Sequence, residues 1–293
     1  MMKKLTATLL LGTALAMPAV AEEVDRKLDA ASDGHVHVSN ISGSITVKGW
    51  SRDEVEVTGE LGRNVEELYF ERNGDKITIK VKVPRKSKRG IESDLYIQVP
   101  EQSSLDVGTV SADIEVDEVF GDLKLNTVSG DIDADAVAAD IIAGAVSGDV
   151  EVNGRREEAE TRANSVSGDV TLFRVAGNIA AESVSGDIII DEGAFDRVNM
   201  NTVNGEILFQ SELRDGGKLK AETVNGSVDV EFVGRIEGRF EVDTFNGDID
   251  NCFGPKAKRT SKYTPGWELE FVEGDGDARI TISTLNGDVT ICR

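Results

Sequence analysis

Thr127-Val128-Ser129-Gly130-Asp131-Ile132 is a phrase that the chain repeats almost to its last residue. Clear copies run over residues 145–150, 165–170, 183–188, 202–207, 223–228, 244–249 and 284–289. Weaker copies lie at 109–114, where Ala112 takes the place of glycine, and at 40–45. Gly130, Gly148, Gly168, Gly186, Gly205, Gly226 and Gly247 recur every 18 to 21 residues, and Gly287 follows after two periods. A fixed period near twenty residues is the mark of a solenoid, whose coils bury their apolar faces only by stacking on their neighbours.

The residues around the phrase say what a coil is made of. Leu123 and Leu125 before it, and Ile132 and Ala134 after it, alternate with polar residues, the period-2 pattern of half-buried strands. Ser-Gly or Asn-Gly between them is turn chemistry, and the glycine is expected to supply a positive φ without a Cβ clash. A stack of antiparallel hairpins is the competing reading, since Asn-Gly favours them. It leaves the recurrence at one phase unexplained, so the expectation is an all-β, single-chain β-solenoid of parallel coils. Stacking predicts ladders about 4.8 Å apart: Ser129, Ser147, Ser167 and Ser185, then Asn204, Asn225, Asn246 and Asn286.

Residues 1–21 combine Lys3 and Lys4, an apolar run and a closing Ala19-Val20-Ala21, which reads as a signal peptide for export to the periplasm, cell surface or medium. The absence of cysteine at the cleavage site gives no sign of a lipoprotein anchor. No later stretch is long and apolar enough for a membrane-spanning helix. A net charge of −22 argues against nucleic acid or an anionic membrane as partner, because both repel a polyanion.

Residues 22–104 read as a first coil plus an N-terminal hairpin elaboration, turning at Asn73-Gly74, that covers the open end of the stack. Residues 105–293 read as the solenoid repeats with a closing segment. Phe195, Phe209, Phe232, Phe240, Phe245 and Phe253 are expected to fill the core of the larger coils. Cys252 and Cys292, the only cysteines, each lie five residues after the glycine of their own copy. If residues 253–279 form a loop or hairpin, the two lie in adjacent coils about 5 Å apart and form a disulfide. A full coil there would separate them by about 10 Å, beyond the Cα limit of about 7 Å.

The repeats, the leader and the closing segment from Gly266-Trp267-Glu268-Leu269 to Thr284-Leu285-Asn286-Gly287 resemble the bacterial putative-adhesin family of β-strand-repeat proteins, a domain of unknown function. The resemblance covers residues 34–293. It implies an exported β-solenoid and adhesion, and it supplies no catalytic residues.

The residues themselves offer little catalytic chemistry. His35 and His37 are the only histidines, and they read as solvent-facing strand residues rather than a metal pair. No phosphate loop or nucleophile elbow is present. The acidic ladder after the turn glycine, which includes Asp131, Asp149, Asp169 and Asp187, is the one feature suited to a metal, calcium. Its members repel one another unless solvent, turn N–H groups or cations offset the cost, and the ordinary reading is a capped, solvated turn without cofactor. Three functions fit: an adhesive or structural module binding a surface protein or glycan, a polysaccharide-binding or polysaccharide-degrading β-helix, and a periplasmic accessory of an envelope-stress or signalling system. The last would dock through two basic loops, Arg85, Lys86, Lys88 and Arg89, and Lys256 to Lys262. A non-enzymatic binding module is the expectation.

Overall fold

The computed structural model describes residues 22–86, 89–262 and 265–293. The expected leader and Lys88 lie outside the described residues. Among them the chain forms strands and no helix. Strands before each corner phrase stack into one row, and strands after it into a second. In the first, Leu123–Asn126 pairs in register and in parallel with Ser104–Gly108 on one side and Ile141–Gly144 on the other. In the second, Ile132–Val137 pairs in parallel with Ser111–Asp117 and with Val150–Gly154, the latter with a register shift after Ala134. Leu123, Leu125, Ile132, Ala134, Val150 and Val152 turn inward and are buried between the rows. Full burial of such a side chain is worth about 1.5–3 kcal/mol, and a one-residue slip would turn the whole apolar set outward, which fixes the register. The result is a solenoid-like stack.

Each position of the corner phrase has its own reason. The first residue is buried, and its hydroxyl donates to the glycine carbonyl of the rung below: Ser165 to Gly148 at 2.8 Å, Ser183 to Gly168 at 3.0 Å, Thr202 to Gly186 at 3.0 Å. That bond satisfies a buried acceptor at the bend, where the strand ladders are interrupted. The glycine answers a different need from the one its turn position suggests. Gly43 and Gly226 adopt positive φ, but Gly130, Gly148, Gly168, Gly186, Gly205, Gly247 and Gly287 do not. A Cβ on Gly148 would instead lie 1.8 Å from the carbonyl oxygen of Gly130, and one on Gly168 would lie 2.2 Å from that of Gly148. Successive corners therefore touch backbone to backbone.

The rungs do not follow the chain at either end. The strands His35–Ser39 and Ser42–Trp50 lie inside the stack, with Lys76–Lys82 and Ser93–Pro100 on one side and Ser104–Gly108 and Ser111–Asp117 on the other. The first coil is thus not at the open end. Residues 76–100 form the rung outside it, flanked in turn by Glu67–Asn73 and Glu54–Leu61, both antiparallel. The other end does the same: Ala278–Asn286 and Val289–Cys292 sit between the rung of residues 218–232 and that of 238–251. The asparagine ladder consequently runs 204, 225, 286, 246, each amide after the first donating to the side-chain oxygen of the one before it at 2.8 Å.

Phe195, Phe209, Phe232 and Phe240 form a buried file of tilted and edge-on rings 5.9–6.0 Å apart, which Phe253 and Phe271 continue. Phe245 departs from the expected core filling: it occupies the second position of its corner phrase and is exposed. Cys252 and Cys292 are bonded, with Cα atoms 4.9 Å apart and a sequence separation of 40. Residues 258–259 and 267–273 pair antiparallel at the outer edge rather than forming another full coil, which leaves the cysteines on neighbouring rungs. In the chain-entropy account, closing a loop of this length removes about 4 kcal/mol of freedom from the unfolded chain.

The close approach of the corners makes a contrast that unfolding can measure. Gly148→Ala drives a Cβ into the Gly130 carbonyl and is expected to cost about 3 kcal/mol, the upper range for overpacking. Gly74→Ala, at φ +65° with nothing within 4 Å, is expected to cost about 1 kcal/mol. Equal losses in denaturant titrations would refute the glycine assignment.

Candidate functional site

The corner of the stack carries three parallel rows of side chains. The second residue of the phrase gives an apolar row: Val110, Val128, Val146, Val166, Val184, Val203, Val224, Leu285 and Phe245, in spatial order, each between 39% and 48% exposed. Their carbonyls hold the rungs together, since the N–H of Ser147 donates to the Val128 oxygen at 2.9 Å, that of Ser167 to Val146 at 2.9 Å and that of Asn204 to Val184 at 2.9 Å. The third residue gives the exposed serine and asparagine row. A shallow groove of about 450 Å³ runs beside the apolar row, lined by Asn164, Val166, Glu182, Val184, Asn201 and Val203 among others.

The fifth residue gives the carboxylates, and the structure shows what offsets their repulsion. Asp131 Oδ1 accepts the N–H of Asp149 at 3.0 Å, Asp149 Oδ1 that of Asp169 at 2.8 Å, Asp169 Oδ1 that of Asp187 at 2.8 Å and Asp187 Oδ1 that of Glu206 at 2.7 Å. Each acid is therefore held by the backbone of the next rung, a charge-assisted bond of the stronger kind. Among the described residues no group of three or more histidine, cysteine or acidic side chains is arranged to hold a metal. The row also extends beyond the copies visible in sequence. Asp94 occupies the same position on the rung of residues 76–100, and Ser44 donates to its Oδ1 at 2.8 Å. Buried Ser93 stands in the glycine position there and accepts the Asn40 amide at 2.9 Å, so Asn40 replaces the threonine hydroxyl.

The other candidates are dispersed. His35 Nδ1 lies 3.0 Å from Ser104 Oγ, and His37 Nδ1 lies 3.1 Å from Asp106 Oδ2, each ring being half-buried and engaged with the next rung. Burial first, then the charge of Lys76, lowers the His35 pKa. Of the basic loops, Arg85, Lys86 and Arg89 are exposed on the rung of residues 76–100 towards one end, and Lys256, Lys258 and Arg259 at the other. Arg259 lies over the Trp267 ring, 5.0 Å from its centroid. The apolar row was the feature most open to detection: its signal is a branched apolar or aromatic residue immediately before every Ser-Gly or Asn-Gly from 128 to 285.

A second stack of like charge lies on the face of the second row, where Asp133 pairs across to Glu115 and Glu151. Partial desolvation first, then the charges of Glu151, Asp135 and Glu115, raise the Asp133 pKa above its ordinary 3.8. A raised carboxylate pKa penalises the folded state above that range, and protonation on acidification removes the penalty. Asp133→Asn is expected to raise the thermal midpoint at pH 7, with the gain disappearing below pH 3.8. A pH-independent effect would show that the charge stack is not its cause.

The model of the Toastrack DUF4097 family matches residues 34–292. Similar solved structures include one titled a putative cell adhesion protein from Clostridium sporogenes ATCC 15579, at 8% identity and TM-score 0.32, with 93% of this chain and 99% of that chain covered. A putative lipid binding protein from Parabacteroides distasonis ATCC 8503 shares 14% identity at TM-score 0.43, with 92% and 96% covered. A putative adhesin from Bacteroides fragilis NCTC 9343 shares 9% at TM-score 0.38, with 93% and 98% covered. No curated protein matches the chain. The family match, spanning nearly the whole sequence that carries the corner repeats, shows that this chain belongs to the Toastrack DUF4097 family.

Proposed function

We propose that the chain is an exported, non-enzymatic binding module of the bacterial envelope, a β-solenoid with coils of about 18–21 residues whose laddered corner is its contact surface. In this reading residues 22–104 form the N-terminal coil and hairpin cap, and residues 105–293 form the repeats with their closing segment. The observation that carries it is the uninterrupted apolar row, which repeats one exposed side chain per rung on a backbone bonded from rung to rung. Such a surface is rigid and multivalent, which suits adhesion to a surface protein or glycan better than chemistry at one point. The disulfide supports an oxidising compartment, and the leader supplies the route. Fractionation of cells expressing the full chain, with N-terminal sequencing, is expected to give a periplasmic or extracellular product beginning at Glu22. An intact Met1 in the cytoplasm would overturn the export reading.

A second reading, an accessory of an envelope signalling system, is favoured by one observation: the two basic loops stand at opposite ends of an acidic body. Replacing Arg85, Lys86, Lys88 and Arg89 by serine is expected to abolish co-purification with such a partner while leaving the melting midpoint unchanged. Undiminished recovery of the partner would remove this reading.

A further inference from the structure

We infer that the apolar row and the carboxylates beside it form a docking surface for a basic amphipathic helix of a partner protein. The inference rests on the binding-module reading and names the chemistry of the partner. Val146, Val166, Val184 and Val203 stand on successive rungs, 40–45% exposed, within a row of nine such residues. At strand spacing the row is about 40 Å long. Scattered surface valines need no explanation, whereas a contiguous apolar stripe marks an interaction site.

The geometry selects a helix. A partner strand would need unpaired backbone at an edge, but the corner's N–H and C=O groups are already bonded between rungs. Same-face residues of a strand also repeat at about 6.7 Å, against about 4.8 Å between rungs. A helix rises 5.4 Å per turn, so an apolar side chain from each turn falls about 0.6 Å out of step per rung. Three or four turns stay within about 2 Å of register, and the groove beside Val166, Val184 and Val203 gives those side chains somewhere to enter.

The charge selects a basic helix. No copy of the corner phrase contains lysine or arginine. Asp149, Asp169 and Asp187 stand on the same corner, three residues after Val146, Val166 and Val184, and Glu182 lies on the groove side. Among the described residues Asp131, Asp149, Asp169 and Asp187 make no ion pair, and their Oδ1 atoms accept backbone N–H groups. A second copy would bring the same carboxylates against these, and an anionic membrane would be repelled in the same way. Lysines on the flanks of an apolar helix face would meet both demands.

The test mixes the purified protein with three fluorescent 18-residue peptides. One has leucines at helical i, i+3, i+4, i+7 spacing with lysines flanking them, the second has glutamate for every lysine, and the third is the lysine peptide with its order scrambled. Expected is one-site micromolar binding of the first in 50 mM salt, at least tenfold weaker in 500 mM salt, at least tenfold weaker binding of the scrambled peptide, and none of the glutamate peptide. Val146→Thr, Val166→Thr and Val184→Thr together keep the β-branch and should weaken binding at least tenfold. Asp149→Asn, Asp169→Asn and Asp187→Asn together keep the acceptor oxygens and should weaken binding while flattening its salt dependence. Circular dichroism and melting midpoints identify a variant that fails to fold, and the other variant set then decides. The inference is overturned if the scrambled peptide binds equally well, or if neither folded variant set changes the affinity. Sedimentation showing a micromolar dimer that the valine substitutions dissociate would assign the row to a second copy, and co-sedimentation with phosphatidylcholine vesicles would assign it to lipid. Because these mixtures use purified protein, failure here leaves the export result standing, and failed export leaves the peptide result standing.

Discussion

Backbone contact between consecutive corners governs the rest of this structure. Where the chain bends from one row to the other, the strand ladder is interrupted, yet the bend is buried on its inner side. The polar groups there still need partners. A hydroxyl from the first residue of the phrase reaches the glycine carbonyl of the rung below, as in Thr223 to Gly205 and Thr284 to Gly226. The absence of a Cβ at the fourth residue lets the rungs come close enough for the bond to form. From that spacing follow the register of the core, the alignment of the exposed rows and the regular separation of the acids.

The same spacing explains how a chain of charge −22 tolerates a file of carboxylates at its bend. Like charges at rung distance repel even in solvent. Each aspartate of the file answers with a backbone N–H from its neighbour, so the stacking that brings the charges together also supplies their counter-dipoles. Asp133, Glu115 and Glu151 lie in the same stacking relation on the flat face, and there the charge of Glu151 adds to the desolvation that raises the Asp133 pKa. Acidic stacks are thus accommodated at the corner more readily than on the face.

Much of this is legible in the sequence, and the limits have physical causes. The period gives the corners, and the alternation around Leu123 and Ile132 gives the buried faces, because both are local consequences of strand geometry. Rung order is not local. Asn286 bonds to Asn225 and Asn246, and nothing in a count of residues distinguishes that order from a sequential one. Asp94 is hidden because its rung has Ser93 where the phrase has glycine, so the match to the phrase fails although the backbone position is kept. Phe245 reads as core by residue type and is exposed by position. The reason for the corner glycines is likewise a property of two rungs together, which a single repeat cannot display.

The placement of both terminal coils one rung inside the stack has a mechanical meaning. A coil at the end of a stack meets one neighbour and can be peeled away strand by strand, each step loading few bonds at a time. Here residues 278–292 are gripped on both sides, by the rungs of residues 218–232 and 238–251, and the disulfide ties the last strand to the outer of these. Residues 35–50 are gripped between residues 76–100 and 104–117 in the same way. Tension on the described C-terminal end must therefore slide a coil out from between two others or carry its outer neighbour with it, and at the other end the same holds once the edge strand Glu22–Asp29 has been peeled from Glu54–Leu61. Resistance to pulling is a property of the unfolding barrier rather than of equilibrium stability, and the enclosed position of these two coils raises that barrier.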